Sequence, residues 1–169
     1  MYDPIGALRT FQRHNVRYVV IGGYAAGILG APIMTNDLDI CYERSKENME
    51  RLASALRELG AKLRVAHVDE ELPFILDGLT LAAGDSFTFR TNVGDLDVLA
   101  TPSGTNGFKD LDAAATTYDL GDGLRARVVS LDDLIRMKEA ARRAKDESHL
   151  HILQVLKRTI EQMEQPPRE

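Results

Sequence analysis

Cysteine is nearly missing from this chain. Cys41 is the single example in 169 residues, so no internal disulfide can form, and a reducing compartment suits the protein. Long apolar runs are missing too, since none approaches the ~20 residues that a membrane helix needs. The opening Met1-Tyr2-Asp3-Pro4 lacks the positive start and following apolar stretch of a secretory leader. A cytoplasmic protein without membrane association is expected. Positive charge is in deficit: 21 lysines and arginines against 26 aspartates and glutamates give a net charge of −5. Domains dedicated to duplex nucleic acid are usually basic, so bulk nucleic-acid binding is disfavoured. A local basic cluster nevertheless stands at Arg136, Lys138, Arg142, Arg143 and Lys145.

What is present is ordinary for a globular protein: 44% hydrophobic and 28% charged residues. The length suits one domain over residues 1–169, with no internal repeat and a fraying tail from Gln165. Helical spacing of Ile5, Leu8 and Phe11 predicts a helix over 4–14. The β-branched run Arg17–Ile21 reads as a buried strand, and alanine-rich Tyr24–Leu29 as a helix ended by Gly30 and Pro32. Strands are predicted at 37–42, 61–68, 72–76, 86–91, 95–100 and 125–129. Ser45 and Ser130 are set to cap helices over 46–59 and from Leu131, and a last helix is predicted over 146–164. Loops are expected at 101–110 and 119–123. The result is an α/β (α+β) fold, a short mixed central sheet flanked by helices. Its core covers about 15–130 and its helical C-terminal part about 131–164.

The chemistry concentrates at two places. Asp37-Leu38-Asp39-Ile40 alternates, so both carboxylates leave the same face of a strand. Two acids that close repel unless a cation lies between them, and Mg²⁺ (or Mn²⁺) with oxygen ligands and substrate phosphates relieves that repulsion. Gly22-Gly23 follows a strand and opens a helix, where a backbone without side chains can approach a phosphate. Gly94-Asp95-Leu96-Asp97-Val98 offers a third carboxylate. Asp97, flanked by apolar residues, is preferred, because Asp95 follows a glycine and reads as a strand-entry residue.

Gly22-Gly23, then Gly30-Ala31-Pro32, then Thr35-Asn36-Asp37-Leu38-Asp39, resembles the signature of the DNA polymerase beta-like nucleotidyltransferases. The likeness is closest to the small bacterial branch of AbiEii-like and MenT-like toxins. It covers residues 17–42 well, and 94–99 and 131–153 more loosely. The resemblance implies transfer of a nucleoside monophosphate from a nucleoside triphosphate to a hydroxyl, with two metals. It implies metal ligands at Asp37, Asp39 and Asp97, and phosphate contacts from Gly22 and Gly23. Thr35 matches a hydroxyl just before the ligands. Lys138, with Asp39 and its fellows, joins the catalytic set as a triphosphate contact, and Lys145 and Asp146 join the nucleotide-binding set. The toxin branch further implies a tRNA 3′ end as acceptor and a cognate antitoxin as partner. Two departures stand out: Ile33 where many relatives have arginine, and His149 where an acidic residue is common.

Other readings compete. An AMPylating antitoxin or an antibiotic nucleotidyltransferase would use the same site, and a catalytically silent relative would serve as a binding module. Charges spaced i, i+4 and i+7, as in Lys138, Arg142 and Lys145, usually form a solvated face. His149 and His151, two apart on a helix, do not share a face and do not read as a zinc pair. Cys41 reads as a packing residue, and Phe11, Tyr18 and Tyr24 as core.

Overall fold

The computed structural model describes residues 1–69 and 73–166. Ten-residue α1 (Pro4–Arg13) starts where Asp3 accepts a hydrogen bond from the Gly6 amide and Pro4 occupies the first turn, a position that needs no amide donor. The buried strand β1 (Tyr18–Ile21) leads without a loop into α2 (Gly22–Ile28). There follow β2 (Asp37–Tyr42), α3 (Lys46–Glu58), β3 (Lys62–Leu63), α4 (Gly78–Ala83), β4 (Ser86–Thr91) and β5 (Gly94–Leu99). The chain continues through α5 (Phe108–Ala114), β6 (Thr116–Asp119), β7 (Arg125–Val128), α6 (Leu131–Ala141) and α7 (Ala144–Glu164). Ser45 and Ser130 cap α3 and α6 as their sequence positions suggest, each accepting a bond from the amide three residues on.

The described strands form one mixed sheet in the order β3-β4-β5-β2-β1-β7-β6. β1 is antiparallel to β2, and β2 is parallel to β5. Registration places Ile21 beside Asp39 and Asp39 beside Asp97. The alternate residues Leu38, Ile40, Leu96 and Val98 are at most 2% exposed and anchor these strands in the core. Among the described residues no helix is long and apolar enough to cross a membrane.

Several local expectations need correction. The strand expected over 61–68 is limited to Lys62–Leu63, because a turn (Val68 N–H to Val65 carbonyl) and a left-handed His67 (φ +65°) carry the chain away from the sheet. Residues 73–76 form no strand. Phe74 instead docks through its ring on Phe87 and Phe89, 5.9 Å from each, and Leu72 lies outside the described residues. The loop expected over 101–110 ends early, where α5 begins at Phe108. α4, α5 and β6 were not anticipated; each has only four to seven residues, too few for a hydrophobic period.

Asn48 fastens this arrangement. It is 1% exposed, and its side chain accepts from the Arg17 amide (2.7 Å) and donates to the carbonyls of Arg17 (2.9 Å) and Glu43 (2.7 Å). α3 is thereby tied to the start of β1 and the end of β2. Truncating it leaves three backbone groups without their partner in a buried place. Asn48→Ala is expected to lower unfolding free energy by about 2–4 kcal/mol, measured by urea denaturation.

Candidate active site

The strand register builds the site. Carboxylate oxygens of Asp37, Asp39 and Asp97 all lie within 4.8 Å of one another, each residue half-buried. Asp95, abreast of Asp37 in the register, does not join them: its carboxylate is held by Arg64 (2.6 Å) with Arg90 at 3.8 Å. Burial pushes the Asp39 carboxyl up to about 7, and the charges of Asp37 and Asp97 and a hydrogen bond with Asp97 push the same way, against a smaller opposing pull from Lys138. Three acids with oxygen donors only, crowded enough to hold a proton near neutrality, fit a hard divalent cation.

The surroundings fix the acids in place. Thr35 donates its hydroxyl to Asp37 Oδ1 (2.7 Å), and Tyr2 donates its phenol to the Asp37 carbonyl (2.9 Å). Thr35 therefore positions a carboxylate here. Gly22 has φ +69°, and a Cβ added there would run into the Asp39 carboxylate. At Gly23 a Cβ would lie 2.9 Å from the Thr35 Cβ. Both glycines form the first turn of α2 and let the backbone close down on the acids.

The opposite wall comes from α6 and α7. Lys138 Nζ is 2.8 Å from Asp146 Oδ1, with Lys138 17% and Asp146 2% exposed. Arg143 adds its backbone amide (3.2 Å) and its Nε (3.3 Å) to the other Asp146 oxygen. Burial alone would raise the Asp146 carboxyl, but the Lys138 ammonium and the Arg143 contacts hold it below the usual carboxylate range. Leu134, Met137 and Ala141, the apolar stripe of α6, face the same cavity of ≈ 190 Å³.

Lys138, Arg142 and Lys145 do not form one helix face. α6 stops at Ala141, Arg142 turns left-handed (φ +49°), and α7 starts at Ala144. Lys145 lies beyond this break, and its side chain is outside the described residues. Arg143, His149, Ser103 and Met34 also line the cavity and were not picked out as site residues from the sequence. Arg143 stood in the basic cluster, but nothing in the sequence marks a helix break at an arginine. Ile33, where an arginine is common among relatives, packs its side chain against the core. Phe11, Tyr18 and Cys41 are buried as expected, while Tyr24 is only partly so.

Solved structures share this architecture. The lincosamide antibiotic adenylyltransferase LnuA, bound to lincomycin, superposes with a TM-score of 0.60 at 15% identity, over 90% of this chain and 95% of its own. The fold is a nucleotidyltransferase fold. The antibiotic-resistance factor ANT(2'')-Ia, in complex with adenylyl-2''-tobramycin, gives 0.53 at 14% identity over 91% of this chain and 85% of its own. A candidate nucleotidyltransferase from Thermotoga maritima gives 0.53 at 14% identity, over 89% of this chain and 93% of its own. No protein-family model matches the sequence, and the comparison with curated proteins found no match.

The charge crowding has a thermodynamic signature. Asp39 has a folded pKa of about 7, against about 4 for a free aspartate. Without metal the folded state therefore holds the extra proton between those values, and Asp39 costs stability progressively as pH rises from about 4 to 7 and in full above. In EDTA at pH 8, Asp39→Asn is expected to melt ~3–8 °C above the native protein. Mg²⁺ should raise the melting temperature of the native protein and not of the variant. A variant that melts lower at pH 8 contradicts the account.

Proposed function

We propose that the protein is a divalent-metal-dependent nucleotidyltransferase that moves a nucleoside monophosphate from a nucleoside triphosphate to a hydroxyl of a small-molecule acceptor. The observation that carries this reading is the triad Asp37, Asp39 and Asp97 facing Lys138 across one cavity. Mg²⁺ held by the three acids would neutralise charge on the phosphates and align the attacking and leaving oxygens. The chain's own groups do the rest. Gly22 and Gly23 let the backbone approach the phosphates. Lys138, steadied by Asp146, supplies a positive charge beside the triphosphate path, and Thr35 keeps the Asp37 carboxylate turned inward.

The acceptor class rests on charge. Arg136 is engaged by Asp110 and Asp133, and Lys138 and Arg143 share Asp146, so these carboxylates offset much of the cluster at 136–145 while the Lys138–Arg143–Asp146 group keeps one net positive charge beside the triphosphate path. With a net charge of −5, little field remains near the site to gather a polyanion. The similar folds of LnuA, seen with lincomycin, and ANT(2'')-Ia, seen with an adenylylated tobramycin, favour a small hydroxyl-bearing acceptor. The tRNA 3′ end and a toxin role, implied by the sequence resemblance, form the second reading.

Each labelled nucleoside triphosphate with Mg²⁺ is offered either a panel of hydroxyl-rich antibiotics or total tRNA. Label is expected in the small-molecule fraction, reduced more than about 100-fold in Asp39→Ala, since even outer-shell partners of a metal ligand are worth 10–100-fold. Label on tRNA that disappears in the variant would move the acceptor to the second reading. Absence of transfer together with absence of Mg²⁺-dependent triphosphate binding would overturn enzymatic function and favour a binding module.

A further inference from the structure

At the other end of β1 lies a second cavity, of ≈ 400 Å³, unconnected to the carboxylates. Roughly 10 Å of strand separates Tyr18, among its lining residues, from Ile21 at the candidate active site. The parallel register pairs Val20 with Val128, and three residues before each stand Arg17 and Arg125. Parallel strands carry registered side chains on one face, and Arg127, two residues on from Arg125, shares it. All three arginines line the cavity, opposed by one carboxylate, Asp112.

Their engagement differs. Arg127 is committed to structure: Nε meets Asp112 Oδ1 at 2.8 Å and Nη2 meets the Asp112 carbonyl at 2.7 Å. Arg17 and Arg125 have no carboxylate partner among the described residues. The Arg17 guanidinium lies over the Phe108 ring, 5.4 Å from its centroid, a contact that holds it near the cavity. Both backbones are pinned. Asn48 holds the amide and carbonyl of Arg17, and Gln12 accepts from the Arg125 amide at 2.9 Å while donating to the Gly123 carbonyl. Tyr18, next along the strand, turns its ring to the opposite face, 5.3 Å from the buried Phe11 ring, and leaves the arginine face to Arg17 and Arg125. A protein of net charge −5 thus holds two uncompensated guanidinium groups around one concavity.

We propose that this cavity is a metal-independent site for a phosphate group, taken in by Arg17 and Arg125. Guanidinium forks match phosphate oxygens in pairs, and positioned backbones lower the cost of ordering them. The phosphate belongs either to a small phosphorylated compound or to the end of a nucleic-acid strand.

The test uses pyrophosphate in EDTA, with chloride matching the ionic strength, and follows the arginine side-chain NMR signals. Saturable shifts at Arg17 and Arg125 are expected, with affinity weakened roughly tenfold or more in the Arg17→Ala/Arg125→Ala double variant. Each single variant, Arg17→Ala or Arg125→Ala, is expected to weaken binding several-fold, while Mg²⁺-dependent triphosphate binding at the acidic site persists in every variant. A short RNA bearing a 5′-phosphate that binds more tightly than pyrophosphate and than its 5′-hydroxyl counterpart assigns the ligand to a strand end. Pyrophosphate binding at least as tight as the phosphorylated RNA assigns it to a small compound. Shifts reproduced by chloride alone, or unchanged in the double variant, overturn the proposal.

Discussion

Three carboxylates forced together by strand register are the constraint around which this protein is organised. The parallel pairing of β2 and β5 sets Asp39 beside Asp97, and strand alternation adds Asp37 on the same face. Their mutual repulsion would be relieved by letting the strands splay. The apolar alternates Leu38, Ile40, Leu96 and Val98, essentially without exposure, oppose that. The sheet therefore holds an electrostatic conflict, visible as a carboxyl whose proton affinity is pushed to about 7. Such a conflict is usual where function, and not stability, has selected the residues.

The rest of the site responds to this conflict. Gly22 is required because the Asp39 carboxylate occupies the space a side chain would take. Thr35 and Tyr2 hold Asp37 by its side chain and its carbonyl. Across the cavity the Lys138–Asp146 pair presents an ammonium already neutralised on one side and fixed in direction. The arrangement is acidic where a cation would sit and carries its positive charge on the facing wall, a division of labour that suits a triphosphate bridging the two.

Much of this was legible in the sequence, because its signals are local. Alternation in Asp-Leu-Asp-Ile and Asp-Leu-Asp-Val shows strands with acids on one face, and Gly-Gly after a β-branched run shows a strand meeting a helix. The mixed sheet and the helical C-terminal part follow from such periods. What stayed hidden depends on distant partners. Asp95 and Asp97 look alike locally, and their different environments come from Arg64, 31 residues away from Asp95. The basic cluster reads as one helical face until Arg142 adopts a left-handed backbone, a conformation that arginine does not advertise. Phe74 belongs to an aromatic cluster with Phe87 and Phe89, which no pattern within 72–76 reveals.

The most direct test is crystallographic: crystals grown with Mn²⁺ and a non-hydrolysable nucleoside triphosphate, with anomalous scattering locating the metal. The account predicts manganese between Asp37, Asp39 and Asp97, with the triphosphate reaching toward Lys138. Manganese bound elsewhere, or an acidic cluster without metal while the nucleotide binds at another place, would contradict it.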